Sequence, residues 1–251
     1  MRGKTMQIAI VLYPSFTALD FIGPYEVLRN LPDTEVRFVW HEPGPVTADS
    51  GVLMVGATHS FDETPAPDVV LVPGGPGTTM AARDDKVLDW LRQVYPGTTW
   101  TASVCSGSVV LAAAGLLDGK PATSHWSVLS ALKLMGATPV GDQRIVRADP
   151  DGKVITAAGV SAGIDLAMWL AGQIGGEAKA KAIQLMIEYD PQPPFDSGHL
   201  SKASAVTKAG ATALLGRDMI KPEPLKAGVL LAWDQAIRKV RGRRSASTAI
   251  K

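Results

Sequence analysis

The chain has little cysteine: one residue, Cys105, among 251. A single cysteine cannot form an internal disulfide, so a small secreted fold held by disulfides is excluded. The apolar segment at residues 6–13 is short and leads into Pro14, which is not the layout of a signal peptide. No stretch reaches the roughly 20 apolar residues of a membrane span. These absences predict a soluble, cytoplasmic protein without a membrane partner.

The chain also lacks the usual marks of a metal or nucleotide site. Its four histidines are scattered without ligand spacing, and the one cysteine adds little to them. The glycine-rich stretch at residues 73–77 is not followed by Lys-Ser/Thr and does not match GxGxxG. We therefore expect no metal and no other cofactor.

Net charge is small, at +1, but it is unevenly distributed. Residues 201–251 carry 11 Lys/Arg and 3 Asp/Glu, whereas residues 1–200 carry 14 and 21. A basic end can bind nucleic acid, but such a run is more often a poorly ordered, solvated tail. We therefore predict no nucleic-acid partner.

Short apolar runs alternate with helical patterns along most of the chain. The predicted strands are residues 6–13, 35–40, 68–72 and 98–104. The predicted helices are residues 84–95, 107–117, 127–135 and 162–174, the last with Ser161 as its N-cap. An antiparallel excursion at 43–61 and a hairpin joining 143–147 to 153–157 interrupt this order. The alternation predicts an α/β fold with a doubly wound, mostly parallel sheet and helices on both faces.

Three prolines at residues 188–195 end the last of these helical stretches and predict an extended segment. We take 1–195 as the α/β domain and 196–251 as a helical, basic C-terminal extension with a poorly ordered tail. Within the extension, apolar residues spaced by three or four form one predicted helical stripe: Leu225, Val229, Trp233, Ile237 and Val240. This stripe is predicted to pack on the domain or on a second subunit.

Cys105 lies where an apolar strand gives way to small residues and then to a helix. This arrangement is typical of a nucleophile elbow, with the thiol at the corner above the end of the sheet. Backbone N–H groups and the helix dipole at such a corner favour a thiolate. The small residues after Cys105 are expected to keep the corner open. The alternative is a buried structural cysteine, which is the commoner fate of a free cysteine.

Two other loops follow predicted strands and are expected at the same sheet edge. Asp20 is a lone charge in the apolar sequence LDFIGP (19–24), where a raised pKa would suit a proton donor or acceptor. It could equally be the N-cap of a helix introduced by Gly23-Pro24. Gly74 and Gly75 follow the strand at 68–72, and the backbone N–H groups of Gly75 and Ser106 are candidate oxyanion donors. A plain tight turn is the alternative there.

His125, in the sequence TSHW (123–126), follows the cysteine by twenty residues. A Cys–His pair would suggest acyl transfer. A lone histidine is more often a packing or hydrogen-bonding residue, and chain order leaves open whether His125 reaches the pocket of Cys105.

Taken together, these motifs resemble the DJ-1/PfpI superfamily, and within it the isocyanide hydratases. The likeness rests on LDFIGP (19–24), PGG (73–75), SVCSGS (103–108), TSHW (123–126) and SAGID (161–165), and it runs from about residue 6 to 195. Five motifs in order at compatible spacing are specific, although each alone is weak. The extension beyond 195 lies outside the likeness.

The resemblance implies a flavodoxin-like sandwich, similar to the class I glutamine amidotransferases, and a homodimer without cofactor. It implies that Cys105 attacks the terminal isonitrile carbon, that Asp20 handles the proton, and that water resolves a thioimidate to an N-substituted formamide. Asp20 favours the hydratase branch, because the superfamily more often has Glu there. Protease-like members carry His at the position of Ser106, so peptidase activity is not expected. The hydratases carry Thr there, whose hydroxyl and N–H Ser106 retains.

Two rival functions remain open from the sequence. AraC-type regulators carry a similar domain followed by two DNA-binding helix-turn-helix units, but only 56 residues follow residue 195, about half of what two units occupy. A redox sensor or a glyoxalase-like enzyme of the same superfamily would use Cys105 differently.

Overall fold

The computed structural model describes residues 5–219 together with residues 228, 230 and 231. The strands are β1 (Met6–Val11), β2 (Thr34–Trp40), β3 (Gly44–Thr47), β4 (Met54–Ala57), β5 (His59–Ser60), β6 (Val69–Val72), β7 (Trp100–Val104), β8 (Pro121–Ala122), β9 (Thr138–Pro139), β10 (Ile145–Arg147) and β11 (Val154–Ala157). The α-helices are α1 (Ala18–Leu28), α2 (Thr78–Ala81), α3 (Asp85–Val94), α4 (Gly107–Ala113), α5 (Leu129–Leu134), α6 (Ala162–Gly175), α7 (Glu177–Met186) and α8 (Ala205–Met219).

Seven strands form the central sheet, in the order β10-β11-β7-β6-β1-β2-β5. Every neighbouring pair is parallel except β10 and β11, which pair antiparallel. The chain leaves β1 toward β2 on one side, and β6 then pairs with β1 on the other side. The order therefore reverses between β1 and β6, and ligands of doubly wound folds bind at such a switch point.

Apolar strands and close helix packing form the core. All four residues of β6 are buried, as are the last four of β1, which is expected for strands covered on both faces. Helix α1 packs closely on α6, because a Cβ added at Gly23 would lie 2.8 Å from the side chain of Ile164. Helix α4 packs with α3 and α5. Right-handed crossovers from a switch point place these two groups of helices on opposite faces.

The predicted α/β class and doubly wound sheet are confirmed, and so are the four predicted strands and four predicted helices, with bounds that differ by up to a few residues. The antiparallel excursion is β3 and β4, and the second hairpin is β10 and β11. The prediction for Ser161 is wrong in its chemistry. Ser161 stands before α6, but its side chain makes no capping hydrogen bond within the described chain. Its Oγ instead accepts a hydrogen bond from Arg144.

The apolar stripe predicted between residues 225 and 240 lies outside the described residues, so its packing stays a prediction. The division at residue 195 also stays a prediction. In the described part of the extension, α8 is helical and Leu231 is buried. Across residues 5–219 and the three described residues beyond them, no helix combines the length and apolar character that crossing a bilayer requires.

Gly107 provides a test of how tightly the site region is packed. A Cβ there would lie 2.1 Å from the carbonyl oxygen of Val72 and 2.7 Å from that of Pro73. Because backbone atoms cannot move aside as a flexible side chain can, we expect Gly107→Ala to lower the free energy of unfolding by about 2–4 kcal/mol. The matched control is Gly56→Ala, whose Cβ meets open space among the described residues. Urea unfolding of both variants checks this, and equal stability of the two would contradict it.

Candidate active site

Three loops converge at the carboxyl ends of β1, β6 and β7. Asp20 lies in the first turn of α1, Gly74 and Gly75 follow β6, and Cys105 follows β7. The N–H of Gly74 donates to Asp20 Oδ2 at 2.8 Å, and a Cβ at Gly74 would lie 2.8 Å from Cys105 Cβ. The structure therefore brings together Asp20, Gly74, Gly75, Cys105 and Ser106, as the sequence analysis expected.

Cys105 has a backbone φ of +57°, which a residue with a side chain rarely adopts. Four hydrogen bonds hold it in this conformation. Its N–H donates to the carbonyl oxygens of Ala157 (3.2 Å) and Ala158 (2.9 Å). Its own carbonyl accepts from Ser124 Oγ (2.8 Å) and Ser108 Oγ (3.2 Å). Strain of this kind costs about 1–3 kcal/mol and persists only where the surroundings over-determine it.

The expected openness of this corner is wrong. Cys105 is only 7% exposed, and Ser106 and Ser108 are also buried. The small residues serve a different purpose, since they let three backbones approach each other. A Cβ at Gly74 would lie 2.5 Å from the N–H nitrogen of Ser106. Because Cys105 is buried, its exposure does not distinguish a reactive cysteine from a structural one. The groups around the thiol must distinguish them.

The closest ionisable neighbour of the thiol is Asp20, which is fully buried. Burial raises the pKa of Asp20 from an ordinary 3.8 to about 7, while the hydrogen bond from Gly74 and the nearby Cys105 thiol lower it. The expected raised pKa is confirmed. Asp20 Oδ1 has no partner of full hydrogen-bond geometry among the described residues, so the thiol faces the carboxyl without a fully formed hydrogen bond.

The helix-cap alternative for Asp20 is not what the structure has. Helix α1 begins at Ala18, Pro24 lies inside it, and Thr17 occupies the N-cap position. The Asp20 carboxyl points to the loop after β6, where it accepts the N–H of Gly74, and not to the N–H groups of its own helix. Its position beside Cys105 therefore has no explanation in capping.

The thiolate expected for the resting site is wrong. Burial raises the pKa of the Cys105 thiol well above its ordinary value, and the negative charge of Asp20 raises it further. Hydrogen bonds from the backbone N–H groups of Ser106 and Val160 and from the Ser106 hydroxyl lower the pKa by less. The pair therefore rests as a neutral thiol beside a carboxyl that titrates near neutrality.

The Ser106 hydroxyl belongs to a chain of hydrogen bonds. Gly75 N–H donates to Ser106 Oγ at 3.0 Å, Ser106 Oγ lies 2.7 Å from Thr78 Oγ1, and Thr78 Oγ1 lies 3.0 Å from Tyr13 Oη. Tyr13 gives its proton to the carbonyl of Pro73 at 2.7 Å, so it accepts from Thr78, which then accepts from Ser106. This arrangement directs the one proton of Ser106 to Thr78, and a hydrogen bond from Ser106 to the Cys105 thiol would have to replace that bond.

This chain changes two expected roles. The N–H of Gly75 already donates to Ser106, so it is not a free donor for a substrate anion in this structure. The N–H of Ser106 donates to the Cys105 sulfur. The two groups therefore stabilise the cysteine and its loop, and the idea of two free oxyanion donors is not supported.

His125 lies beside the site without bonding to Cys105 in the described structure. Its Nδ1 is 2.7 Å from Ser127 Oγ and accepts the N–H of Ser127 at 3.4 Å. Its ring packs on Gly159, where a Cβ would lie 2.6 Å from His125 Cδ2. Burial lowers the pKa of His125, which favours a neutral ring. A Cys–His pair for acyl transfer is therefore not formed.

The sequence analysis missed four residues that contact the site: Tyr13, Thr78, Ser124 and Val160. Ser124 lies in the TSHW motif beside His125, and a serine there carries no signal that it binds the carbonyl of Cys105. Thr78 follows the PGG motif closely, and Tyr13 ends the first apolar run, where a buried hydroxyl must find a partner. Val160 acts through its backbone, which side-chain chemistry cannot reveal.

Comparison with known proteins agrees with this fold. Residues 6–173 match the model of the DJ-1/PfpI family, and the chain belongs to that family. It is 45% identical to an isonitrile hydratase from Pseudomonas putida over 193 residues, 77% of this chain and 82% of that protein. A solved THiJ/PfpI family protein from Pseudomonas syringae is 36% identical, with a TM-score of 0.81, and the match covers 92% of this chain and 91% of that one.

A second kind of relative shares the same part of the chain. The HTH-type transcriptional regulator CdhR from Pseudomonas aeruginosa is 31% identical over 172 residues, 66% of this chain. The match spans only 50% of the regulator's length. The match therefore covers half of that regulator but 82% of the hydratase.

The raised pKa of Asp20 has a consequence for stability. The folded protein holds this proton up to about pH 7, whereas the unfolded chain loses it near 3.8. The contribution of the Asp20 proton to the free energy of unfolding is therefore fully present below about pH 4 and is lost as pH rises through about 7. Relative to Asp20→Asn, wild type should lose up to about 4 kcal/mol of unfolding free energy over this interval.

Urea unfolding of wild type and Asp20→Asn at pH 4, 5.5, 7 and 8 measures this difference. The exposed Asp62 supplies the control variant Asp62→Asn, which should follow wild type at every pH. A constant difference between wild type and Asp20→Asn across the series would contradict the raised pKa.

Proposed function

We propose that this protein hydrates isocyanides to N-substituted formamides without a cofactor, with Cys105 as the nucleophile and Asp20 as the acid and base. The observation that carries the proposal is the buried thiol of Cys105 facing a carboxyl with a pKa of about 7. The 45% identity to an isonitrile hydratase over most of both chains supports the substrate class.

The first step forms a thioimidate. The neutral thiol gives its proton to the Asp20 carboxylate as sulfur bonds to the terminal carbon of R–N≡C. Asp20 then returns the proton to that carbon, which yields R–N=CH–S–Cys105 and restores the carboxylate. No charge leaves the site, so a buried, poorly hydrated pair can carry out this step.

The second step uses one water molecule. Water adds its oxygen to the thioimidate carbon, and a proton passed through Asp20 reaches the nitrogen to give R–NH–CH(OH)–S–Cys105. The hydroxyl proton then moves through Asp20 to the departing sulfur as the C–S bond breaks. The products are R–NH–CHO and the free thiol, so the sum is one isocyanide plus one water.

The surrounding donors suit the sulfur more than the substrate. Backbone N–H groups of Ser106 and Val160 aim at the thiol and stabilise the negative charge that develops as its proton leaves. Gly74 holds Asp20 in place through its N–H. The expected homodimer and the cytoplasmic location stay predictions.

Substitutions of the two central residues test the mechanism. Cys105→Ala and Cys105→Ser should reduce turnover to background, since neither supplies a thiol. Asp20→Asn keeps the shape of the carboxyl and should lower kcat/KM by about 10²–10⁴-fold, the usual contribution of a general acid–base group. Because Asp20 acts first as a base, wild-type kcat/KM should rise as pH passes about 7, and Asp20→Asn should lack that rise.

The assay follows formamide by mass after incubation with an alkyl and an aryl isocyanide. Asp62→Asn is the matched carboxyl-to-amide control and should turn over like wild type. Substantial hydration by Cys105→Ala would remove Cys105 as nucleophile, and wild-type rates in Asp20→Asn would remove Asp20 as acid and base.

A ligand-binding regulator is the second candidate, because CdhR matches the same region at 31% identity. Against it, the positive charge at residues 238–244 is clustered in the sequence and not spread over a longer segment that could read bases. A redox sensor or glyoxalase-like enzyme would use the same thiol, but no feature of the site favours either over hydration.

DNA binding separates the regulator from the enzyme. Any affinity should be independent of sequence and fall steeply with salt, because phosphate neutralisation releases counterions. Gel-shift titration against several duplexes near physiological salt, beside a chain lacking residues 241–251, measures this. Tight binding that discriminates between sequences would overturn the enzyme-only proposal. The truncated chain should hydrate isocyanides like wild type.

A further inference from the structure

A polar cluster on the surface joins three segments that are far apart in the chain. Arg144, just before β10, forms an ion pair with Asp165 in the first turn of α6. Tyr189, after α7, donates its hydroxyl to Asp165 Oδ1 at 2.7 Å. Arg144 Nη2 also donates to Ser161 Oγ at 3.2 Å. We call Arg144, Asp165, Tyr189 and Ser161 the α6 cluster.

The α6 cluster is connected to Cys105 through the loop at residues 158–161. Ala158 N–H donates to the carbonyl of Arg144 at 2.9 Å, and the carbonyl of Ala158 accepts the N–H of Cys105 at 2.9 Å. Ser161 ends the same loop and is held by the Arg144 guanidinium. Arg144 therefore holds both ends of this four-residue loop, Ala158 through its carbonyl and Ser161 through its guanidinium. The loop in turn accepts the backbone N–H of the strained Cys105.

Stability alone is a poor explanation for this cluster. The side chain of Arg144 is 51% exposed and that of Asp165 is 29% exposed. Ion pairs with this much solvent contact contribute little to folding. Loss of the Arg144 side chain should thus leave a folded protein, in which only the geometry of the loop changes.

We propose that Arg144, with Asp165 and Tyr189, is a positioning residue for Cys105: the α6 cluster fixes the 158–161 loop, which holds the cysteine backbone and presents the N–H of Val160 to its sulfur. The expected effect on isocyanide turnover rests on the proposed function, whereas the expected effect on the reactivity of the Cys105 thiol does not. Arg144 touches neither Cys105 nor Asp20 and acts through the loop.

Three elements present groups that influence the thiol. Asp20 on α1 and Tyr13 after β1 are the titratable ones, and Ser106 donates from the elbow itself. The fourth influence is the Val160 N–H, which lowers the pKa of the Cys105 thiol. Only this last contact depends on the 158–161 loop, so its loss should be measurable while the other three persist.

Alkylation of Cys105 by iodoacetamide across a pH series tests the positioning directly. Arg144→Met keeps an apolar stem of similar length but loses the guanidinium. The pH needed to reach a fixed alkylation rate should rise by about one unit, equivalent to about tenfold slower alkylation at any given pH below it. Tyr189→Phe removes only the hydroxyl that orients Asp165. It should raise the pH needed for the same alkylation rate by less than Arg144→Met does. Arg144→Lys should restore part of the shift.

The matched control is Lys181→Met. It breaks an exposed ion pair with Glu177 on the neighbouring helix α7, at 2.6 Å, without touching the loop. It should leave the alkylation profile as in wild type, and circular dichroism should show all variants folded. An unchanged profile in Arg144→Met, or one displaced to lower pH because the thiol has merely become more accessible, would overturn the proposal.

Turnover distinguishes this inference from the proposed function. With an isocyanide substrate, Arg144→Met should lower kcat by about tenfold and leave KM near wild type, because substrate contacts are unchanged. If wild type does not hydrate isocyanides but the alkylation shift is found, the proposed function fails and the positioning role stands. If wild type is active and Arg144→Met matches it in both assays, the positioning role fails alone.

Discussion

The Cys105 thiol faces the Asp20 carboxyl in a space closed to solvent, and the surrounding architecture maintains this contact. Carboxyl and thiol come from loops after different strands, β1 and β7, and the loop after β6 lies between them. Each of these backbones must approach the others more closely than side chains permit, which is why Gly74 and Gly107 stand where a Cβ would meet neighbouring atoms. The contact between Cys105 and Asp20 therefore depends on glycines as much as on the two reactive side chains.

Burial sets the chemistry of this pair. In water the carboxyl would be fully ionised at neutral pH, and the thiol would be a small fraction thiolate. Burial raises the pKa of Asp20 to about 7 and raises the pKa of the Cys105 thiol well above its ordinary value. A proton that passes from the thiol to the carboxylate leaves the net charge of the pair unchanged, so the transfer buries no additional charge, and bonding of the sulfur to carbon draws it forward. This property separates the site from an elbow that stores a thiolate at a helix N-terminus, which was the simpler expectation from the sequence.

Most of the fold could be predicted because its signals are local. A short run rich in Val and Leu, such as residues 69–72, is typical of a strand buried on both faces, and the turn at 48–51 predicts the β3–β4 hairpin. The site was predicted through the rule that strand ends share one edge of a parallel sheet, which placed Asp20 with Cys105. What was not predictable depends on contacts between distant segments. Three features arise only from tertiary contacts: the positive φ of Cys105, the Gly74–Asp20 hydrogen bond and the Val160 contact.

The same domain in a hydratase and in regulators shows that this fold does not define an activity. Here the Cys105 backbone is held in a strained conformation by four hydrogen bonds, and the Asp20 carboxyl is kept near neutrality at a cost in stability. Both features are costs that folding alone would not retain, and both become useful once sulfur must attack a carbon and return to a thiol in each cycle.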